Sequence, residues 1–230
     1  MRIAVIPARG GSKRIPRKNI KPFMGKPIIS YSILAAKKSE LFDAVIVSTD
    51  DDEIAQIAVE YGADVPFRRP AELADDMTAT VPVIAHAIDA YNLQNATKIE
   101  WACCIYPCSP FINPIDIKNA AQLAHSEDVD FVYPVTEYTH PVQRGMVMDN
   151  NGKMSFMMPE YELTRTQDLP IVYHDTGQFY FGKAEAWQNH KRMHTDGIGM
   201  FVPHWRVVDI DTHDDWKRAE ALYHTIQENE

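Results

Sequence analysis

Short apolar runs and longer stretches of helical periodicity alternate through the first two thirds of the chain. Continuous apolar runs predict strands over 2–6, 44–48, 101–106 and 131–136, and apolar spacing of three and four predicts helices over about 27–38, 51–61, 78–93 and 113–125. Ala44-Val45-Ile46-Val47-Ser48 has no polar face, as befits a parallel strand covered by helices on both sides. The rhythm lapses from Glu137 to Asp175, where Asp149-Asn150-Asn151-Gly152 marks a hairpin turn among Met- and Pro-containing segments. It resumes at Gln178-Phe179-Tyr180-Phe181-Gly182, followed by a short helix near 183–190, a strand near 207–209 and a terminal helix over about 213–227. The pattern predicts an α/β fold: an open, mostly parallel Rossmann-like sheet with helices on both faces. One domain is expected over 1–230, with a β-rich flap inserted at about 137–175.

Composition narrows the partners. A hydrophobic fraction of 45% and a net charge of -9 describe a soluble protein that does not coat nucleic acid through bulk electrostatics. No apolar run approaches the roughly 20 residues needed to span a bilayer, and residues 1–20 lack a signal-peptide core, so a cytoplasmic address without a membrane partner is expected. Cys103, Cys104 and Cys108 match neither zinc nor disulfide spacing and read as reduced packing residues.

Against that acidic background, PARGGSKRIPRKNI (residues 7–20) concentrates basic side chains directly after the first strand. Open parallel sheets bind ligands at the carboxyl ends of their strands, where this segment lies. Gly10 and Gly11 allow backbone amides to approach an anion, Ser12 adds a hydroxyl, and Arg9, Lys13, Arg14, Arg17 and Lys18 supply charge. A phosphate site is favoured over a solvated basic turn, and the spacing matches neither the dinucleotide nor the Walker glycine pattern.

Near the other end, Asp209 and Asp211 share a face if the segment is extended, which suits a hard cation such as Mg2+ held between carboxylates and phosphate oxygens. The competing reading is the cap of the terminal helix, through Asp211 or Thr212. The run Ser48-Thr49-Asp50-Asp51-Asp52-Glu53 reads as capping, with Thr49 or Asp50 as the cap, because free carboxylates would repel a phosphate. For His174 beside Asp175 a hydrogen-bonding role is favoured over general base. His125, His190, His194 and His224 have no ligand spacing.

The basic motif closely resembles the signature of the CMP-sialic acid synthetases and related CMP-activating sugar nucleotidyltransferases. The resemblance extends through Val47-Ser48-Thr49-Asp50-Asp51-Asp52-Glu53-Ile54-Ala55, Gly62-Ala63, Arg68-Arg69-Pro70-Ala71-Glu72-Leu73-Ala74-Asp75-Asp76, Pro107-Cys108-Ser109-Pro110 and Asp209-Ile210-Asp211. It implies a nucleotidyltransferase fold that binds CTP through Arg9, Gly10, Gly11, Ser12, Lys13, Lys18, Asn19, Arg69 and Thr80. Arg9, Lys13 and Lys18 would act on the phosphates in catalysis, and Asp209 and Asp211 would bind Mg2+. The flap is where such enzymes dimerise, so a homodimer is expected.

The sialic acid branch has Gln where this chain has Tyr106, and the set Tyr106-Pro107-Cys108-Ser109-Pro110-Phe111, Arg165-Thr166-Gln167-Asp168-Leu169-Pro170 and Tyr173-His174-Asp175-Thr176-Gly177-Gln178 is similar to the pseudaminic acid cytidylyltransferases. That resemblance implies a nonulosonic acid acceptor, with Tyr106, Gln143, Arg165, Gln167, His174, Asp175 and Gln178 as its contacts. Arg165 would pair with the sugar carboxylate. A synthetase for N-acetylneuraminate or legionaminate remains the alternative. A metal-dependent glycosyltransferase and a non-catalytic nucleotide sensor are more distant ones.

Overall fold

The structure is a computed structural model and describes residues 1–227; the last three residues of the expected 1–230 domain lie outside the described residues. β1 (Arg2–Pro7) leads through the short ladder of β2 (Pro22–Phe23) and β3 (Lys26–Pro27) into α1 (Ile29–Lys38). β4 (Ala44–Ser48), α2 (Asp52–Glu60), α3 (Thr80–Asn95), β5 (Trp101–Ile105), α4 (Pro114–Ser126) and β6 (Phe131–Glu137) follow. An excursion carries the β7 (Met146–Met148) and β8 (Met154–Phe156) hairpin. β9 (Tyr173–Asp175), β10 (Phe179–Lys183), α5 (Ala184–Gln188), β11 (Gly197–Phe201) and α6 (His213–Gln227) complete the order.

The main sheet runs β11-β6-β10-β5-β1-β4, with β9 also paired to β6. β4, β1 and β5 are parallel neighbours, as are β6 and β11, while β10 runs antiparallel between β5 and β6. The carboxyl ends of β1, β4 and β5 therefore open on one edge, and the amino end of β10 arrives at that same edge. Alternation sorts the strand residues onto two faces. Ala4, Ile6, Val45, Val47, Cys103 and Ile105 pack with α1, α2 and α4, whereas Ile3, Val5, Ile46, Ala102 and Cys104 pack with α3 and α5. Ile3 to Ile6 of β1 are completely buried. Truncating Ile6 to Ala would cost about 2–5 kcal/mol.

A third apolar cluster lies outside the sheet. Ile15, Phe23, Ile28, Val208, Ile210, Trp216 and Ala219 form it, and Phe23 meets the rings of Tyr31, Trp216 and Tyr223 edge-on at 5.5–5.6 Å. This cluster joins the segment after β1 to the segment before α6, and so brings the two sequence motifs together.

Two elements depart from expectation. Residues 207–209 join no sheet ladder; their alternation reflects Val208 and Ile210 turned into the third cluster rather than a strand. β11 was not expected, because Gly197 and Gly199 interrupt its apolar pattern. A Cβ at either glycine would lie within 3 Å of Phe131 or Val135 side-chain atoms, so β11 needs glycine to approach β6 this closely.

Candidate nucleotide and metal site

The basic segment is pinned from three sides. Ile15 is buried in the third cluster, and Lys18 Nζ donates to the Ile210 carbonyl at 2.7 Å. Arg17, in a left-handed conformation with φ 55°, forks onto both Asp51 carboxylate oxygens, with Nη2 2.9 Å from Oδ1, and also reaches Glu53. This hydrogen bonding holds the Asp51 carboxyl down at about 2 and raises the Arg17 pKa. Asp51 also accepts the Ile54 amide at 3.0 Å, so it caps α2, not Thr49 or Asp50 as expected.

Asp50 does something else: its Oδ1 accepts the Gly10 amide at 3.0 Å. A Cβ on Gly10 would lie 2.8 Å from Asp51 Oδ2, so glycine is required here for contact with the acidic run. The Gly10 amide is thus already engaged, and neither Gly10 nor Gly11 lines the cavity. The Gly10 amide would have to leave Asp50 to reach a phosphate. The acidic run shapes the loop as well as capping a helix.

The loop opens onto a cavity of about 650 Å³. Arg9, Ser12, Lys13, Lys18, Asn19, Arg69, Thr80, Tyr106, Asp209 and Asp211, all anticipated from sequence, line it together. Arg69 is 6% exposed, donating through Nε to Ser48 Oγ at 3.1 Å and through Nη2 to the Ser48 carbonyl. Burial pulls its pKa down to about 10, with Asp50 opposing and nearby Arg9 reinforcing the drop. It still carries its charge at neutral pH, and it has no ion pair with a carboxylate among the described residues. A buried, unneutralised guanidinium facing a cavity is a receptor for an anion.

Val208 and Ile210 pack into the third cluster, and Asp209 and Asp211 line the cavity. Partial removal from water, and next the Asp211 carboxylate, raise the Asp209 pKa although its side chain still reaches solvent; Lys18 opposes the shift. Asp211 pairs with Arg14 at 2.9 Å and Lys18 at 3.3 Å. Two crowded carboxylates fit a divalent cation, whose charge would relieve their repulsion. No group of three or more His, Cys, Asp or Glu side chains suited to a metal occurs among the described residues, so ligand oxygens and water would complete the shell. The competing capping role falls to Thr212: Asp215 N donates to its Oγ1 at 3.2 Å, and Asp215 Oδ2 accepts the Thr212 amide at 2.8 Å.

Asp76 and Cys108 line the cavity although the sequence gives neither a place in the site. Asp76 pairs with both Arg9 and Lys13, and the doublet Asp75-Asp76 was the available signal. Arg14 turned out to be Asp211's partner. Cys108 donates its thiol to Asn19 Oδ1 at 3.3 Å, which orients Asn19 Nδ2 onto the Arg9 carbonyl at 2.9 Å. Removal from water pushes the Cys108 pKa up to about 12, so it acts as a thiol donor and not as a nucleophile.

The expected acceptor residues divide. Tyr106 lines the cavity, its hydroxyl 2.9 Å from Thr80 Oγ1, with burial pushing its pKa up to about 12. The other six do not line the cavity, and five of them have partners within the chain. Gln143 donates to the Pro170 carbonyl at 2.9 Å, Arg165 pairs with Asp168 at 2.7 Å, and Gln178 donates to the Arg206 carbonyl at 3.0 Å. His174 donates from Nδ1 to the Asp175 carbonyl at 2.8 Å, the hydrogen-bonding role favoured from sequence. Asp175 accepts the Gly177 amide, the Tyr180 hydroxyl at 2.7 Å and His194 Nε2 at 3.0 Å. Gln167 is exposed. His194 was left without a role, since its position 19 residues from Asp175 carries no local signal.

A family model described as cytidylyltransferase matches residues 3–222. A pseudaminic acid cytidylyltransferase of Campylobacter jejuni is 40% identical over 228 residues, covering 99% of this chain and 98% of that protein. A CMP-N,N'-diacetyllegionaminic acid synthase of Legionella pneumophila is 32% identical, covering 98% and 97%. Among solved structures, CMP:2-keto-3-deoxy-manno-octonic acid synthetase complexed with CTP superposes with TM-score 0.71 at 17% identity, over 97% of this chain and 98% of the other.

Proposed function

The chain belongs to the cytidylyltransferase family, and from that premise we propose that it transfers CMP from CTP to the C2 hydroxyl of a nonulosonic acid, pseudaminic acid, releasing pyrophosphate. The observation that carries this reading is the buried Arg69 guanidinium, unpaired with any described carboxylate, lining one cavity together with the Arg9, Lys13 and Lys18 cations. The 40% identity to a pseudaminic acid cytidylyltransferase over nearly the whole of both chains supports the choice of acceptor.

In the proposed reaction the sugar C2 oxygen attacks the α-phosphorus and forms an O–P bond. The bond from that phosphorus to the β-bridging oxygen breaks, and pyrophosphate leaves with the electron pair. The hydroxyl proton passes to water. Arg9, Lys13 and Lys18 neutralise the phosphates, Arg69 supplies a fixed positive charge from the floor, and Asn19 is held in place by Cys108. Asp209 and Asp211 would hold Mg2+, which when bound supplies further charge stabilisation to the phosphate oxygens. Tyr106, its hydroxyl hydrogen-bonded to Thr80, is where the acceptor would approach.

The same reading includes a homodimer and a cytoplasmic address. Met148, Met157 and Leu163 of the excursion are exposed, and a second copy covering them would bring Arg165 and Gln167 of one protomer toward a site. No helix among the described residues is long and apolar enough to cross a membrane.

The test is pyrophosphate release with CTP, Mg2+ and a panel of nonulosonic acids. Turnover with pseudaminic acid is expected. Preference for a legionaminic or neuraminic acid would replace the acceptor, and no release with any of them would overturn the reading.

A further inference from the structure

The turn that follows Arg69 carries an acidic pair whose two members do different work. Asp75 Oδ1 accepts the Met77 amide at 2.9 Å, the Thr78 amide at 2.7 Å and the Thr78 hydroxyl at 2.6 Å. The Thr78 hydroxyl is also 3.2 Å from the Glu72 carbonyl. Asp75 is thereby consumed in shaping its own turn. The turn aims Asp76 across the cavity, where one carboxylate oxygen meets Arg9 Nη1 and the other meets Lys13 Nζ. These hydrogen bonds, Lys13's the larger, hold the Asp76 carboxyl below its usual range. A planar carboxylate bridging two cations has the charge and the oxygen geometry of a phosphate group.

We propose that Asp76 is a displaceable counter-ion, standing in the ligand-free protein where the β- and γ-phosphates of CTP would sit, and returning to Arg9 and Lys13 as pyrophosphate departs. The inference rests on the cytidylyltransferase reading but adds a residue and a step to it. An anion that takes over the Arg9 Nη1 and Lys13 Nζ donors now held by Asp76 must break the Asp76 contacts, so Asp76 weakens pyrophosphate and CTP binding by whatever those contacts contribute. The contacts are solvent-exposed, so the penalty is modest and salt-sensitive. It falls only on ligands that need Arg9 and Lys13. CMP, which lacks the β- and γ-phosphates, escapes it. The result is a site that holds its leaving group less tightly than its cations alone would.

Calorimetric titration of inorganic pyrophosphate, CTP and CMP into the wild-type protein and the Asp76→Asn and Asp76→Glu variants tests this. At low salt and without divalent metal, Asp76→Asn is expected to bind pyrophosphate and CTP about threefold to tenfold more tightly, with the gain fading near 0.5 M salt. CMP affinity should stay unchanged, and Asp76→Glu, which keeps the carboxylate, should resemble wild type. Equal or weaker pyrophosphate binding by Asp76→Asn overturns the proposal. So does a loss of affinity seen only with Mg2+, which would make Asp76 a metal ligand. If wild-type protein binds neither CTP nor pyrophosphate, the nucleotide reading itself fails; if it binds both and Asp76→Asn matches it, only the counter-ion role fails.

Discussion

The segment over 8–19 and the excursion over 138–172 both lie outside the main sheet, yet the chain treats them differently. In the first, Ile15 is buried at 1% exposure, Arg17 is held by Asp51, 34 residues away, and Lys18 donates to a carbonyl 192 residues away. In the second, β7 pairs only with β8, Met148 and Met157 stand exposed, and Leu163 is 94% exposed. The first is a preorganised site, its ordering cost met within one chain during folding. The second has side chains in place but its apolar face uncovered. Buried polar atoms at its base, Gln143 Oε1, Thr136 Oγ1 and Thr176 Oγ1, have no hydrogen-bond partner among the described residues. The difference teaches that the cation-lined cavity is ordered by contacts within this chain, whereas the excursion has no cover among the described residues.

The strongest way to break that comparison is to remove the charge at the floor of the preorganised half. Arg69→Met should lower kcat/KM for CTP by about 10²–10³-fold, because losing one member of a buried charged contact typically costs about 2–5 kcal/mol. Steady-state kinetics at varied CTP check this, and a change below about fivefold would move the anion site away from Arg69. Asp209→Asn should come next, at about 10–100-fold in rate at limiting Mg2+. Its sign on stability is opposite. A carboxyl whose folded pKa is raised binds its proton more tightly in the native state, so stability is lost as pH rises through that pKa. Without metal or nucleotide, Asp209→Asn should therefore raise Tm at neutral pH, by no more than about 2 °C since the side chain reaches solvent. A lowered Tm would mean that the repulsion from Asp211 is already compensated.

Asp209 was legible through its spacing to Asp211 and Arg69 only through the family resemblance, whereas the sheet and the basic loop were legible for physical reasons. Strands such as Ile3 to Ile6 and Ala44 to Ser48 are apolar on both faces, and only a doubly covered parallel sheet explains that pattern. The loop concentrates its cations in one contiguous stretch, so composition alone points to an anion. What escaped reading depends on distant contacts. Nothing local says that Asp50 takes the Gly10 amide, that Asp76 reaches 67 residues back to Arg9, or that Gly197 and Gly199 are strand residues fitted against β6. Val207 to Ile210 imitated a strand because burial against α6 and Ile15 imposes the same alternation that a sheet does. Of the residues expected at the acceptor, Tyr106, just after β5, lines the cavity and the other six do not.

The clamp under the loop sharpens the contrast at smaller cost. Arg17→Met should raise the KM for CTP by about tenfold with less effect on kcat, since Arg17 orders the cations without lining the cavity. It should also change the acid limb of stability. Asp51 is held at about 2, against about 3.9 in an unfolded chain. Its contribution is therefore present above roughly pH 4 and lost as pH falls through 2. Arg17→Met should flatten that limb in denaturation curves between about pH 4 and 2, leaving the neutral Tm less affected. An unchanged acid limb would show that Asp51 owes its low pKa to capping α2 alone.

Arg165 gives the smallest effect on the isolated chain and the most informative one. It is 72% exposed, pairs only with its neighbour Asp168 within the described residues, and lies outside the cavity. Exposed pairs of this kind contribute about 0–1 kcal/mol, so Arg165→Ala should leave Tm and the KM for CTP nearly unchanged. The acceptor KM is where the two halves of the molecule part. If a second copy covers Met148, Met157 and Leu163, Arg165 is carried into a shared site, and losing its fork on the sugar carboxylate should raise the acceptor KM at least tenfold. Mixing Arg165→Ala with Arg69→Met protomers should then restore activity in hybrids that pair a sound Arg69 on one chain with a sound Arg165 on the other. Without such recovery, acceptor recognition stays within a single chain, and the uncovered face of the excursion serves assembly but not the choice of sugar.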